Sequence, residues 1–299
     1  MNLQELMELK RDKDAVILAH YYVDKDVQAI ADYVGDSFFL AKKATTVKEN
    51  NIIMAGVYFM GETMKILNPE KHVYLPDIEA DCPMAHMITI EEIEDMRHKY
   101  GNLAVVCYVN STAEIKAHSD YCCTSANVQK VISAVKEKNI FFVPDGNLGA
   151  NIKHLFPEKN IICHTGNCPV HHAITPEDVK MLRNAHPAAP VFAHPECPPE
   201  IMEYVDVQGS TGGILKAVEK TDADECIILT ETGILWELKR RFPEKKFYFH
   251  EIICDGMKQV HMKDIVSILQ GEKEEIFVPE DVSIKAKRAL DNMLTACAN

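Results

Sequence analysis

The amino-acid sequence predicts an α/β protein of three homologous three-layer units with short parallel sheets, in a pseudo-threefold arrangement around a central cleft. Three observations carry this. One set of landmarks recurs three times in the same order along the chain. The predicted strands are apolar throughout and alternate with helical segments, which implies parallel sheets covered on both faces. The recurring polar residues stand just beyond strand ends, where open parallel sheets collect ligands.

The landmarks begin with the runs AVILAHYY, AVVCYVNS and PVFAHPEC, which end in a polar group at His20, Tyr108 and His194. Seventeen residues beyond each stands a hydroxyl, at Ser37, Ser125 and Thr211. NPEKHVYLP, FPEKNIICH and FPEKKFYFH follow, and then Cys82, Cys168 and Cys254, spaced 86 and 86 residues apart. Recurrence at a fixed period marks a repeated supersecondary unit. The units are placed at residues 1–84, 85–170 and 171–257. Residues 258–299, with no further strand to feed, are expected to pack back on the first unit as helix.

Within the first unit, Ala15–Ala19 reads as a strand and the DVQAIAD segment has helical spacing. A short strand near Tyr33–Val34 leads through Gly35 to Ser37 and a helix to about Thr46. Ile52–Ala55 is the third strand, Glu62–Leu67 the next helix, and His72–Leu75 the last strand before Cys82. About four strands per unit is an ordinary sheet size, and the crossovers should be right-handed.

Composition narrows the function classes. Of 299 residues, 47% are hydrophobic and 26% charged, so the chain can bury a sizeable core. The net charge of -13 and the lack of a basic stripe argue against nucleic acid as partner. No apolar run reaches the length of a membrane helix, and MNLQELMELKRDK does not read as a signal peptide. Ten cysteines without an export signal suggest a reducing cytoplasm, where thiols serve metals or catalysis.

Cys82, Cys168 and Cys254, one per unit, are expected to converge. Three thiolates can hold zinc with a fourth ligand, or an iron–sulfur cluster with one open iron; threefold symmetry favours the cluster. The other seven cysteines have no three-way match and read as buried or surface thiols. Ser37, Ser125 and Thr211 stand where helices begin, in GDSFF, TSANV and GSTGG. Such residues cap helices, but three aimed at one cavity would bind an anion. His20, Tyr22, His194 and Glu196 are titratable groups expected at the same edge, and Pro195 restrains the backbone between two of them. Tyr108 and Asn110 could add hydrogen bonds, and His171 a substrate contact.

The motifs ILAHYY, VGDS, FMGETMKILNP, DCPMA, YVNST, TSAN, NLG, NCPVH, HPEC, GSTGG and TETG resemble the quinolinate synthase family over essentially the whole chain. The resemblance implies one [4Fe–4S] cluster per chain on Cys82, Cys168 and Cys254, with one iron open. It implies a transferase that condenses iminoaspartate with dihydroxyacetone phosphate, releasing phosphate and water, to give quinolinate for NAD biosynthesis. An L-aspartate oxidase or dehydrogenase would supply the imine. His20, Ser37, Tyr108, Asn110, Ser125, His171, His194, Glu196 and Thr211 would line the substrate site, with Tyr22, Glu196 and His20 acting in catalysis. Diphthamide synthase and the trilobed isoprenoid reductase also use three cluster cysteines, and an iron–sulfur sensor is a non-catalytic alternative. HPE and YVNS favour the first family. Two departures stand out: Tyr21 occupies a position where many relatives carry Asn, and Cys254 is followed by Asp255-Gly256 rather than Pro.

Overall fold

In a computed structural model, which describes residues 3–298, the chain folds around three four-stranded sheets, parallel throughout. The first holds β1 (Ala15–His20), β2 (Tyr33–Gly35), β3 (Asn51–Ala55) and β4 (His72–Tyr74). The second holds β5 (Leu103–Tyr108), β6 (Tyr121–Cys123), β7 (Asn139–Val143) and β8 (Asn160–Cys163). The third holds β9 (Val191–Ala193), β10 (Val207–Gln208), β11 (Glu225–Leu229) and β12 (Lys246–Phe249). Each sheet repeats one order, β2-β1-β3-β4 in the first. The direction of winding therefore reverses between the first and third strands of every sheet. A crevice opens beyond their carboxyl ends at that reversal.

Every residue of β1 and β5 is buried, as expected of strands covered on both faces. The helix expected from Glu62 begins earlier, spanning Tyr58–Leu67. Gly61 discourages helix in a sequence reading, but a Cβ there would lie 2.9 Å from Leu75, so close packing demands the glycine. The helix from Ser37 ends at Ala44, where Thr45 and Thr46 hydroxyls donate back to the carbonyls of Lys42 and Lys43.

Two polar devices repeat with the sheets. Asp32, Asp120 and Asp206 each accept the backbone N–H of a first-strand residue, from Ile17, Val105 and Val191, at 2.8 Å. Each is paired with a cation, Lys10, Arg97 or Arg183. The lysine of each Pro-Glu-Lys landmark also has a shared job. Lys71 donates to Val47 O, Lys159 to Val135 O, and Lys245 to Thr221 O. These carbonyls follow the helix after the second strand of each sheet, where acceptors lack helical partners.

The C-terminal segment is two helices. Met262–Gln270 lies against Leu3–Asp12 and β3 of the first unit. Glu280–Ala296 buries Ala286, Ala289, Leu290 and Met293, and meets Tyr58–Leu67 but also Ala113–Ala117 and β6 of the second unit. Among the described residues, no helix is long and apolar enough to cross a membrane.

Candidate metal and anion site

One cavity is lined by residues at or beyond strand ends of all three sheets, including His20, Tyr108, His194 and the cysteines Cys82, Cys168 and Cys254. Ser37, Asn110, Ser125, Thr211, Tyr22, His171 and Glu196 line it as well. The structure thus brings together every site residue expected from the sequence. Phe38, Val57, Phe59 and Met257 supply an apolar wall.

Each of the three cysteines caps a single helical turn: Pro83–His86, Pro169–His172 and Asp255–Lys258. The backbone N–H groups of those turns favour the ionised thiol, those of Met84 and Ala85 at Cys82, of His171 at Cys168, and of Met257 and Gly256 at Cys254. Burial nonetheless pushes the Cys82 thiol up to about 12 and raises the other two. Proximity adds to this, because Cys82 feels Cys254, and Cys168 feels Cys82. Half-buried thiols grouped this way suit a cation that would draw off their protons. None of the three is in a disulfide.

The glycine of the Asp255-Gly256 departure has a steric cause. A Cβ on Gly256 would lie 2.2 Å from the carbonyl oxygen of Asp81, the residue preceding Cys82. The turn carrying Cys254 is seated directly on the chain that carries Cys82. Gly256→Ala should therefore lower stability by about 1–3 kcal/mol and reduce metal retention; thermal melting and iron content of the purified variant check this.

The hydroxyls divide differently from the expectation of simple capping. The helix Ser37–Ala44 is capped by Asp36, and Thr211–Lys220 by Ser210. Ser37 and Thr211 are released from capping and face the cavity. Asp36 also accepts Ser210 Oγ at 3.1 Å and the Gly212 N–H at 3.3 Å, tying two of these helix starts together. Ser125 Oγ lies 3.0 Å from His194 Nε2.

His20 and His194 adopt the same local geometry. Nδ1 of each accepts the N–H of the residue two further on, Tyr22 at 3.2 Å and Glu196 at 3.3 Å. That assigns the proton to Nε2 in both neutral rings. Burial lowers both from the ordinary 6.5 to about 3, against the opposing pull of Glu196. At neutral pH both rings are uncharged Nε2–H donors.

An unfolded chain protonates these two histidines near 6.5 while the folded one does not until about 3. The unfolded state then binds more protons, so stability falls as pH drops from 6.5 towards 3, by up to about 3 kcal/mol per pH unit from this pair. Urea midpoints of the metal-free chain at pH 7.5 and 5.5 should show the decline, and His194→Gln should flatten it.

Glu196 is fully enclosed. Tyr108 donates to Oε1, and His171 Nδ1 lies 2.8 Å from Oε2. Burial works against ionisation here, but facing His194 and His171 and these hydrogen bonds take the carboxyl well below its ordinary range. His171 Nε2 lies 2.8 Å from Thr230 Oγ1, which is 2.7 Å from the Tyr22 hydroxyl. Thr211 Oγ1 is a second partner of that hydroxyl at 2.7 Å. Burial, then Glu196, raises the Tyr22 phenol well above its ordinary value. The side chains of Asn147 and Asn151 hold the Pro195–Cys197 backbone in place.

Thr230, Glu231 and Asp145 escaped the sequence reading. All three are fully buried and follow the third strand of a sheet, on the far side of the winding reversal. A signal existed: Asp145 and Glu231 are 86 residues apart, on the same period as the cysteines. Tyr21 is not among the cavity-lining residues; burial raises its phenol, with Arg241 opposing.

Fold and site together define the class: a triplicated parallel α/β protein whose units share one buried pocket of thiols, imidazoles and hydroxyls able to hold a metal. Cys168, His171 and Glu196 alone place ligand atoms within 4.8 Å of one another. Comparison with known proteins supplies the family. The family described as quinolinate synthetase A protein matches residues 4–295. A quinolinate synthase of Fusobacterium nucleatum is 54% identical over 97% of both chains. Quinolinate synthase 2 of Methanosarcina acetivorans is 46% identical over 98% of this chain and 94% of its own, and the Thermodesulfovibrio yellowstonii quinolinate synthase is 45% identical over 98% and 97%. The chain belongs to the quinolinate synthase family.

Proposed function

We propose that this chain condenses iminoaspartate with dihydroxyacetone phosphate, giving quinolinate, phosphate and water. The observation that carries the reading is a continuous hydrogen-bonded chain beside the three cysteines: Tyr22, Thr230, His171, Glu196, Tyr108.

Cys82, Cys168 and Cys254 would hold a [4Fe–4S] cluster, whose open iron supplies a Lewis acid for a substrate oxygen. The alternative donor set of Cys168, His171 and Glu196 is less suited, because His171 and Glu196 are already committed to each other and to Thr230 and Tyr108. His20 and His194 offer neutral N–H groups, and Ser37, Ser125 and Thr211 offer hydroxyls, to carboxylate and phosphate oxygens. Condensation and ring closure need protons removed beside a carbonyl and delivered to leaving water. A raised phenol such as Tyr22 gives up its proton only with help. Thr230 Oγ1 can receive it while passing its own to His171 Nε2, whose Nδ1–H is steadied by the Glu196 carboxylate. This is the logic of a hydroxyl–imidazole–carboxylate triad. The apolar wall keeps bulk water from the reacting carbons.

Anaerobic purification should give about four iron and four sulfide per chain, and the loaded protein should form quinolinate from freshly generated iminoaspartate and dihydroxyacetone phosphate. A fully loaded protein that makes no quinolinate would overturn the reading. Alanine at Ser37, Ser125 or Thr211 should each weaken quinolinate binding by about 1.5–3 kcal/mol. Calorimetric titration checks this; unchanged affinity in all three folded variants would reduce the hydroxyls to structural roles.

A further inference from the structure

In the first and third units the cysteine's own backbone N–H is taken up by a half-buried or buried carboxylate. Cys82 N donates to Asp81 Oδ1 at 2.7 Å, and Cys254 N to Glu231 Oε1 at 3.3 Å. The residue four beyond the cysteine meets the same carboxylate in the first and third units. His86 Nε2 lies 2.6 Å from Asp81, and Lys258 Nζ lies 3.4 Å from Glu231. In the second unit His172 turns instead to Asn147.

Lys258 does something its counterparts do not. It reaches out of the third unit and donates to the backbone carbonyl of Tyr22 at 2.7 Å, with Asp24 3.5 Å away. Glu231, which is inaccessible to solvent, also accepts the Gly233 N–H at 2.6 Å. Gly233 in turn abuts the Tyr22 backbone so closely that a Cβ would sit 2.7 Å from Tyr22 Cα. Gln28 Nε2 closes the seam, donating to the carbonyls of Tyr21, Val23 and Gly233. One carboxylate thus joins the Cys254 turn, the residue pressed on Tyr22 and the ammonium that holds the Tyr22 carbonyl.

We propose that Lys258, through Glu231, is a positioning residue that couples the seating of the Cys254 turn to the placement of Tyr22. Binding the cluster fixes the Cys254 turn, the turn carries Lys258 at its end, and Lys258 pins the loop that presents the phenol. The inference rests on the cluster reading above.

Hydrogen exchange of the Tyr21, Tyr22 and Val23 amides, followed by mass spectrometry on cluster-loaded and cluster-stripped protein, tests it. In the wild-type chain, stripping should speed exchange in this loop about tenfold. Loaded K258M should already exchange at the faster rate with its iron content unchanged, and its kcat should fall more than its KM rises. K258R should restore the protection. Equal exchange in the loaded and stripped wild-type protein overturns the coupling whether or not the variant folds, as does a loaded K258M as protected as wild type. A wild-type chain that takes up no iron and sulfide on reconstitution would instead overturn the cluster reading itself.

Discussion

Glu196→Gln should lower turnover at least ~100-fold, within the ~10²–10⁴ range of a positioned acid/base group, while the protein keeps its cluster and still binds quinolinate. The amide has nearly the shape of the carboxylate and can still accept from Tyr108. It cannot bear the charge that steadies His171 as that ring takes a proton through Thr230. The loss should therefore fall on kcat and kcat/KM together, the mark of an interaction made in the transition state. Thr230→Val, which breaks the chain one link nearer Tyr22, should show the same pattern. Near-normal turnover of Glu196→Gln in a loaded preparation would remove the carboxylate from the mechanism.

The second large effect is expected at the cysteines. Serine at Cys82, Cys168 or Cys254 should abolish cluster retention and with it activity, because two remaining thiolates leave two iron corners open. Serine at Cys107, Cys226 or Cys297 should leave iron content unchanged. Iron and sulfide counts on the ten single variants, with folding followed by circular dichroism, separate the two groups. A full complement of iron in Cys168→Ser would end the three-cysteine assignment.

The fold was legible because its strands are unusually plain. Val16, Ile17 and Leu18, or Ala104, Val105 and Val106, have no polar neighbour to confuse the period, and three copies of each landmark suppress chance matches. Legibility failed where local preference and tertiary packing disagree, as at Gly61, a poor helix residue kept because nothing larger fits. Among site residues, those that close a first strand or cap a turn were visible from order and spacing. The residues beyond the third strands were not, because two residues past its third strand the first unit has Val57, which carries no carboxylate or hydroxyl to set the pattern. Lys258 was hidden for another reason: its counterparts His86 and His172 are different residue types doing different local jobs.

The bond between Tyr22 and Thr230 spans 208 positions of chain, and this separation has a temporal meaning. The first sheet is complete once β4 has been made, and it can settle while the ribosome is still at work. The reactive pocket cannot. Its last cysteine follows the second by 86 residues, so throughout that stretch of synthesis a nascent chain carries two of its three thiols and lacks the third. Cofactor insertion is thereby deferred until Cys254 has been made. A chain stalled before Cys254 should accordingly show a folded first unit in pulse proteolysis while retaining no iron.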